Sequence, residues 1–182
     1  MTYAVKRPHH SVVVIGGGQA GLSMSYHLSA VGLDHVIFEK NRIADAWRSQ
    51  RWDAFCLVTP NWQCQLPGFP YQGDDANGFM PRDEIVAYVE SYANHIAAPV
   101  REGVCVTRLS RQAGESFLVE TTEGDVRSDA VVLAVSGYHV PNIPRLAARL
   151  PETLTQIHSR DYRNPGQLPP GAVLVVGTTP MT

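Results

Sequence analysis

No stretch of this sequence offers the roughly 18 consecutive apolar residues that a membrane span requires, and residues 1–10 lack the apolar core of a signal peptide. Neither a span nor a secretory leader is expected, and the cytoplasm is the default location. Cysteine is scarce: Cys56, Cys64 and Cys105 are an odd number at spacings that match neither a zinc site nor a Cys-x-x-Cys redox pair. Packed, buried or half-buried thiols are expected in place of a disulfide framework. The seven histidines are scattered without metal-ligand spacing, so no metal site is expected. A dominant charge of one sign is also missing. A net charge of −2 with no basic block favours neither nucleic acid nor an anionic membrane as partner. Low-complexity tracts are absent, and 44% hydrophobic residues in a chain of 182 supply enough apolar surface for a real core.

What the sequence does contain is organised around residues 11–21. Residues 12–15 are a β-branched apolar run of the length of a strand buried on both faces of a parallel sheet. Residues 19–31 follow as a helix with Ala20, Met24, Leu28 and Val31 at helical spacing, and Gly32 stands where a left-handed C-cap would stop it. Between them lies Gly16-Gly17-Gly18-Gln19-Ala20-Gly21, a Gly-x-Gly-x-x-Gly loop. Gly16 permits the tight turn, Gly18 lets a pyrophosphate approach the backbone, and Gly21 lets the helix pack close to the strand. The helix N-terminus then faces the phosphates with free N–H groups and a partial positive charge. A second apolar strand, residues 35–38, ends in Glu39, about twenty residues past the glycines, where a dinucleotide site places the acid that accepts from a ribose diol. Glu39 would repel a 2′-phosphate, so this site is expected to hold FAD or NAD and not NADP. Lys40 lies beside it.

Further along, residues 41–51 read as a short helix holding Trp47 and Arg48. An irregular segment follows, kept so by Pro60, Pro67, Gly68 and Pro70. Its aromatic residues Trp52, Phe55, Trp62, Phe69 and Tyr71 are suited either to cover a flat cofactor or to pack beneath the loop. Residues 81–96 read as a second helix, with Pro81 at the start, Asp83 and Glu84 in the first turn, and Ile85, Tyr88, Val89 and Tyr92 on one face. Residues 104–109, 116–121 and 125–127 read as a three-stranded antiparallel meander. Residues 129–135 return to a continuous apolar run, expected as another buried parallel strand, and Ser136-Gly137 ends it at the carboxyl edge, where open α/β sheets bind ligands. A last strand is expected over residues 173–176. The fold class is therefore α/β, a Rossmann-like parallel sheet with an inserted antiparallel β-meander.

Together these stretches resemble the N-terminal part of the flavin-containing monooxygenases and related two-dinucleotide-domain flavoproteins, including Baeyer–Villiger enzymes, and more narrowly bacterial flavin-dependent oxidoreductases. The resemblance rests on the glycine loop with Glu39, on Ala46-Trp47-Arg48, on Leu66-Pro67-Gly68, on residues 133–144 with their two spaced prolines, and on His158-Ser159 with Tyr162-Arg163-Asn164-Pro165. It implies FAD with its pyrophosphate on the glycine loop and its adenosine ribose on Glu39. Trp47 and Arg48 would adjoin the ribityl and pyrophosphate region, a main-chain group near Val106 would meet the adenine, and Ser136 and Gly137 would close the site. It also implies that NADPH reduces the flavin, which then reacts with oxygen to oxygenate a small-molecule substrate. Side chains chiefly shield that chemistry, so no catalytic residue is nominated. Residues 1–145 would be the FAD-binding domain with the meander at about 104–128, residues 146–170 a crossover linker, and residues 171–182 the first strand of an NADPH-binding domain.

The sequence departs from the family pattern in three places. Ser136 follows Val135 where Ala-Thr-Gly is usual, and Val58 stands where many members have a flavin-facing Asn, with Asn61 as a stand-in. Residues 178–182 carry none of the remaining glycines of the NADPH motif that starts at Gly177. The leading reading is thus the FAD-binding portion of a longer NADPH-using monooxygenase or oxidoreductase. A non-catalytic FAD or adenine-nucleotide binding module and an NAD-dependent dehydrogenase are the alternatives, separated by whether the purified chain carries a flavin absorbance band. An apolar strand at residues 173–176 without a covering helix is expected to make the chain poorly soluble, to favour a homodimer or to leave the C-terminal stretch mobile. The 182-residue chain is expected to show no NADPH-dependent oxygen consumption with excess FAD; NADPH oxidation above the free-flavin background at an oxygen electrode would overturn that reading.

Overall fold

The computed structural model describes residues 7–137 and 140–177. Strand β1 (His9–Ile15), helix α1 (Gln19–Ala30) and strand β2 (His35–Glu39) form the opening unit, as the sequence pattern predicts. α1 stops where expected. Gly32 adopts φ +69°, its N–H donates to Ser29 O, and Leu33 N–H reaches back to Leu28 O, the paired bonds of a Schellman turn that a residue with a Cβ enters less readily. The buried stripe of α1 differs from the expected one. Gly21, Leu22, Ser25 and Leu28 face the core, whereas Ala20 is exposed and Val31 is 70% exposed. The stripe is set by Gly21, which must lie on the strand, and that rotates Ala20 outward.

Helix α2 (Asp45–Ser49) is shorter than the sequence reading, and two-residue strands β3 (Gln65–Leu66) and β4 (Phe69–Pro70) make a small hairpin inside the irregular segment. Tyr88 pins that hairpin to helix α3 (Arg82–His95): its hydroxyl donates toward Phe69 O at 2.6 Å and accepts Leu66 N–H at 3.2 Å. α3 buries Ile85, Val86, Val89, Tyr92 and Ala93, with Pro81 as its N-cap residue. After it come β5 (Val100–Glu102), β6 (Val106–Arg111), β7 (Phe117–Thr121) and β8 (Gly124–Leu133).

The main sheet has the order β5-β2-β1-β8-β7-β6, parallel from β5 through β8 and antiparallel from β8 through β6. β5 was not expected, because three residues with two charges carry no apolar pattern. A larger correction concerns residues 125–135. The third meander strand and the following parallel strand are one strand, β8, which pairs antiparallel with β7 through Ser128 and parallel with β1 from Arg127 to Leu133. No turn residue separates the halves, and Ser128 at the join is buried with its hydroxyl donating to Ala130 O at 2.6 Å. Beyond Ser128 the β7 side of β8 has no partner among the described residues, so Leu133 is 65% exposed where a buried strand was expected. Residues 173–176 also differ from expectation. They form no strand and stand 62–85% exposed, since no described strand pairs with them. Residues 178–182 lie outside the described residues.

Alternation along β1 divides the core. Val12 and Val14 join Leu22, Leu28, Ile37 and the buried face of α3 on one side, while Val13 joins Val36, Phe38, Val104, Val119 and Val126 on the other. One buried polar pair fastens α1 to β2. His35 Nδ1 donates to Leu33 O at 2.9 Å, so Nε2 is the acceptor for the Ser25 hydroxyl at 2.7 Å. Ser25→Ala should strand that acceptor in the core and cost about 1–3 kcal/mol, read as a lower urea midpoint with unchanged slope. An unchanged midpoint would show that the pair contributes nothing.

Candidate functional site

The glycine loop joins the carboxyl end of β1 to α1, and each glycine has a measurable reason. Gly16 has φ +110°, and a Cβ there would lie 2.5 Å from Ala134 O. A Cβ on Gly21 would lie 2.0 Å from Gly16 O, so only glycine lets α1 sit this near the turn. Gly18 is the opposite case: a Cβ there meets nothing within 4 Å. Its missing side chain therefore serves space in front of the loop and not packing behind it. Gly18 is also the N-cap of α1, with no side chain to cap the helix, and the first turn carries no acidic residue. The N–H groups around Gln19, Ala20 and Gly21 keep their electrostatic pull on an anion. Gln19 and Ala20 are exposed on this rim.

Glu39 stands beside the loop in a fixed pose. Its Oε2 accepts Gly17 N–H at 2.8 Å and its Oε1 accepts Asn41 N–H at 2.9 Å. Each oxygen retains a lone pair, so the carboxylate can still accept from a diol without turning. Lys40 next to it is exposed. Val104 N–H donates to Glu39 O at 3.0 Å, and this bond brings the start of the meander, including Val106, to the Glu39 end of the sheet. On the other flank Ala134 N–H donates to Ile15 O, laying Ala134 and the start of Val135 against Gly16. Ser136 there has φ +61°, a strained conformation for a residue with a Cβ, and Gly137 is exposed.

Trp47 and Arg48 point into side-chain contacts of their own. Trp47 packs 5.7 Å from the Phe55 ring, and the Arg51 guanidinium lies 4.9 Å from the Trp47 ring centre. Arg48 pairs with Glu90 of α3 at 2.5 Å, and its Nε is buried with no hydrogen-bond partner among the described residues. Burial pushes the Arg51 guanidinium below its ordinary pKa, though it stays a cation at any physiological pH. The Glu90 partner was not expected, since a contact 42 positions away leaves no trace in local spacing. Of the five aromatics considered as cofactor covers, Trp52, Phe55, Phe69 and Tyr71 pack on the core, and Trp62 is 53% exposed. Asn61 does not stand in as a free amide: it is buried, accepting Met80 N–H and donating to Asp75 O. Val58 is 60% exposed.

The thiols are free, and Cys56 is exposed, which corrects the expectation that all three are packed; the short bridge to Pro81 holds its backbone, not its side chain. Burial raises the pKa of Cys64 above the ordinary thiol value, away from reactivity. Among the described residues no group of three or more His, Cys, Asp or Glu could hold a metal ion, and no helix is long and apolar enough to cross a membrane.

The geometry thus offers an uncapped helix end, a glycine opening and a pre-set carboxylate in one place. Residues 13–179 match the family described as pyridine nucleotide-disulphide oxidoreductase. The chain is 40% identical over 167 residues to an uncharacterized CzcO-like oxidoreductase of Geobacillus kaustophilus, covering 91% of this chain and 47% of that protein. It is 26% identical to the indole-3-pyruvate monooxygenase YUCCA1 of Oryza sativa, over 91% of this chain and 41% of that one. The solved flavin-containing monooxygenase of Stenotrophomonas maltophilia superposes with a TM-score of 0.62 at 33% identity, covering 70% of this chain and 38% of that one. The chain spans about half the length or less of these relatives. With that match running through nearly all of the chain, residues 13–179, the protein belongs to the pyridine nucleotide-disulphide oxidoreductase family.

Proposed function

We propose that residues 7–137 form the FAD-binding part of a flavin-dependent oxidoreductase, and that the whole protein is an NADPH-using monooxygenase acting on a small molecule. The observation that carries the FAD reading is the contrast among the glycines. Gly16 and Gly21 are required by the protein's own backbone, whereas Gly18 opens onto free space at an uncapped helix N-terminus beside the fixed Glu39 carboxylate. That combination fits a pyrophosphate on the loop N–H groups and a bare ribose diol on Glu39, and it opposes a 2′-phosphate at the same place.

The remaining assignments follow from position. Gly16, Gly17, Gly18, Gln19, Ala20 and Gly21 would hold the pyrophosphate, Glu39 and Lys40 the adenosine side, and the backbone at Val106 the adenine. Ser136 and Gly137 would close the opposite flank. Trp47 and Arg48 would border the ribityl region, and the buried, unpartnered Nε of Arg48 is a donor whose need a cofactor oxygen would meet. Bound FAD supplies the redox chemistry; the chain's residues bind it, orient it and limit water. NADPH and the small-molecule substrate belong to the reading of the whole protein, which rests on the monooxygenases among its relatives.

Gly18→Ala places a methyl in open space with φ −81°, so it should fold normally while losing about 1–3 kcal/mol of FAD affinity. Glu39→Ala should lose a similar amount, and Glu39→Arg more. The measurement is flavin fluorescence retained after desalting, with far-ultraviolet circular dichroism as the folding control. Full retention in both Gly18→Ala and Glu39→Ala would sink the assignment. A second reading, an NAD-dependent dehydrogenase on the same loop, predicts a colourless protein that binds NAD.

A further inference from the structure

Residues 158–167 lie more than 20 positions past the last strand, yet they are fastened to the segment that follows α2. Two chains of contacts do this. Arg163 O accepts Asp53 N–H at 2.8 Å, and Arg163 Nη2 donates to Ser49 O, the last residue of α2. One residue on, Asn164 Nδ2 donates to the Asp53 carboxylate at 2.7 Å. The other oxygen of Asp53 accepts Arg82 Nη1 at 3.0 Å, and Arg82 N–H donates to Phe55 O, so the start of α3 joins the same junction. Asn164 and Arg82 together hold the Asp53 carboxyl below its ordinary range, as expected of a carboxylate bound as an anion.

The turn that delivers these groups is braced internally. Asn164 Oδ1 accepts Gly166 N–H at 3.1 Å, Gln167 Oε1 accepts the N–H groups of Arg163 and Asn164, and Arg163 Nη1 donates to Arg160 O and Tyr162 O. Such a turn presents Arg163 and Asn164 at fixed positions. What they hold is the 49–55 segment, which carries Arg51 and Phe55 against Trp47. Residues 50–54 take no part in a helix or strand, and their own local bonds are few.

We infer that residues 158–167 act as a strap that sets the position of the 49–55 segment, with Asn164 as its positioning residue and Asp53 as the group it holds. The strap works from outside: Asp53 is an exposed carboxylate that touches neither the glycine loop nor Glu39. The inference stands on these contacts alone and does not depend on which cofactor the loop takes.

Hydrogen–deuterium exchange on the 182-residue chain tests it. Asn164→Asp keeps the Oδ1 that caps the turn but removes the donor to Asp53 and sets two carboxylates together. It should speed exchange about fivefold to tenfold in peptides covering residues 49–56 as well as 158–168, while β1 and α1 keep their protection. The reciprocal double change, Asp53→Asn with Asn164→Asp, exchanges donor and acceptor and should restore most of the protection in both segments. Unchanged exchange in residues 49–56 for Asn164→Asp would overturn the inference, as would failure of the double change to restore it. A loss spread over β1 and α1 would overturn it too, by showing general stabilisation in place of local positioning.

Discussion

The contact between Gly21 and Gly16 governs the site. A carbonyl oxygen of the turn occupies the volume where any other residue at position 21 would put its Cβ, at 2.0 Å. Because α1 can approach that far, it packs back over β1, with Leu22 and Leu28 in one core cluster with Val12 and Val14. The same approach rotates α1 so that Ser25 meets His35, and it leaves Gly18 at the open rim. The packing of α1, its Ser25–His35 pair and the open rim at Gly18 are thus one geometric fact seen from three sides.

Much of this was readable in the sequence because it is local. A strand, three glycines, a helix and an acid within 31 residues, 9 to 39, each leave a signature within a few positions of where they act. The buried face of α1 was misjudged for a related reason: apolar spacing alone gave Ala20 and Val31, whereas the deciding residue was a glycine with no hydrophobicity to count. β5 escaped notice because parallel pairing with β2, not composition, makes it a strand. The residues at 173–176 show the converse, an apolar run with strand composition and no described partner. Composition licenses a strand; pairing makes one.

Contacts between distant positions were the least legible part. Arg48 with Glu90, Asn61 with Met80 and Asp75, and Asp53 with Asn164 are each held by side chains far apart in the chain. These are the bonds that turn the irregular segment into a surface of definite shape, and they explain why its aromatics pack inward. The resemblance to flavoproteins singled out Trp47 and Arg48 but could not say that Arg51 stacks on Trp47 or that Arg48 reaches α3.

β8 has a consequence for how this chain can vary. Along residues 124–128 it answers to β7 on one edge, and along residues 127–133 to β1 on the other, with Arg127 and Ser128 counted in both ladders. Side chains alternate faces with a period of two, so inserting or deleting one residue near Ser128 would shift the parallel half against the antiparallel half and turn Val126 or Val132 to the wrong side. The surface loops around it can change length at little cost. This strand cannot, and it is where the parallel half of the sheet and the meander keep a common count of residues.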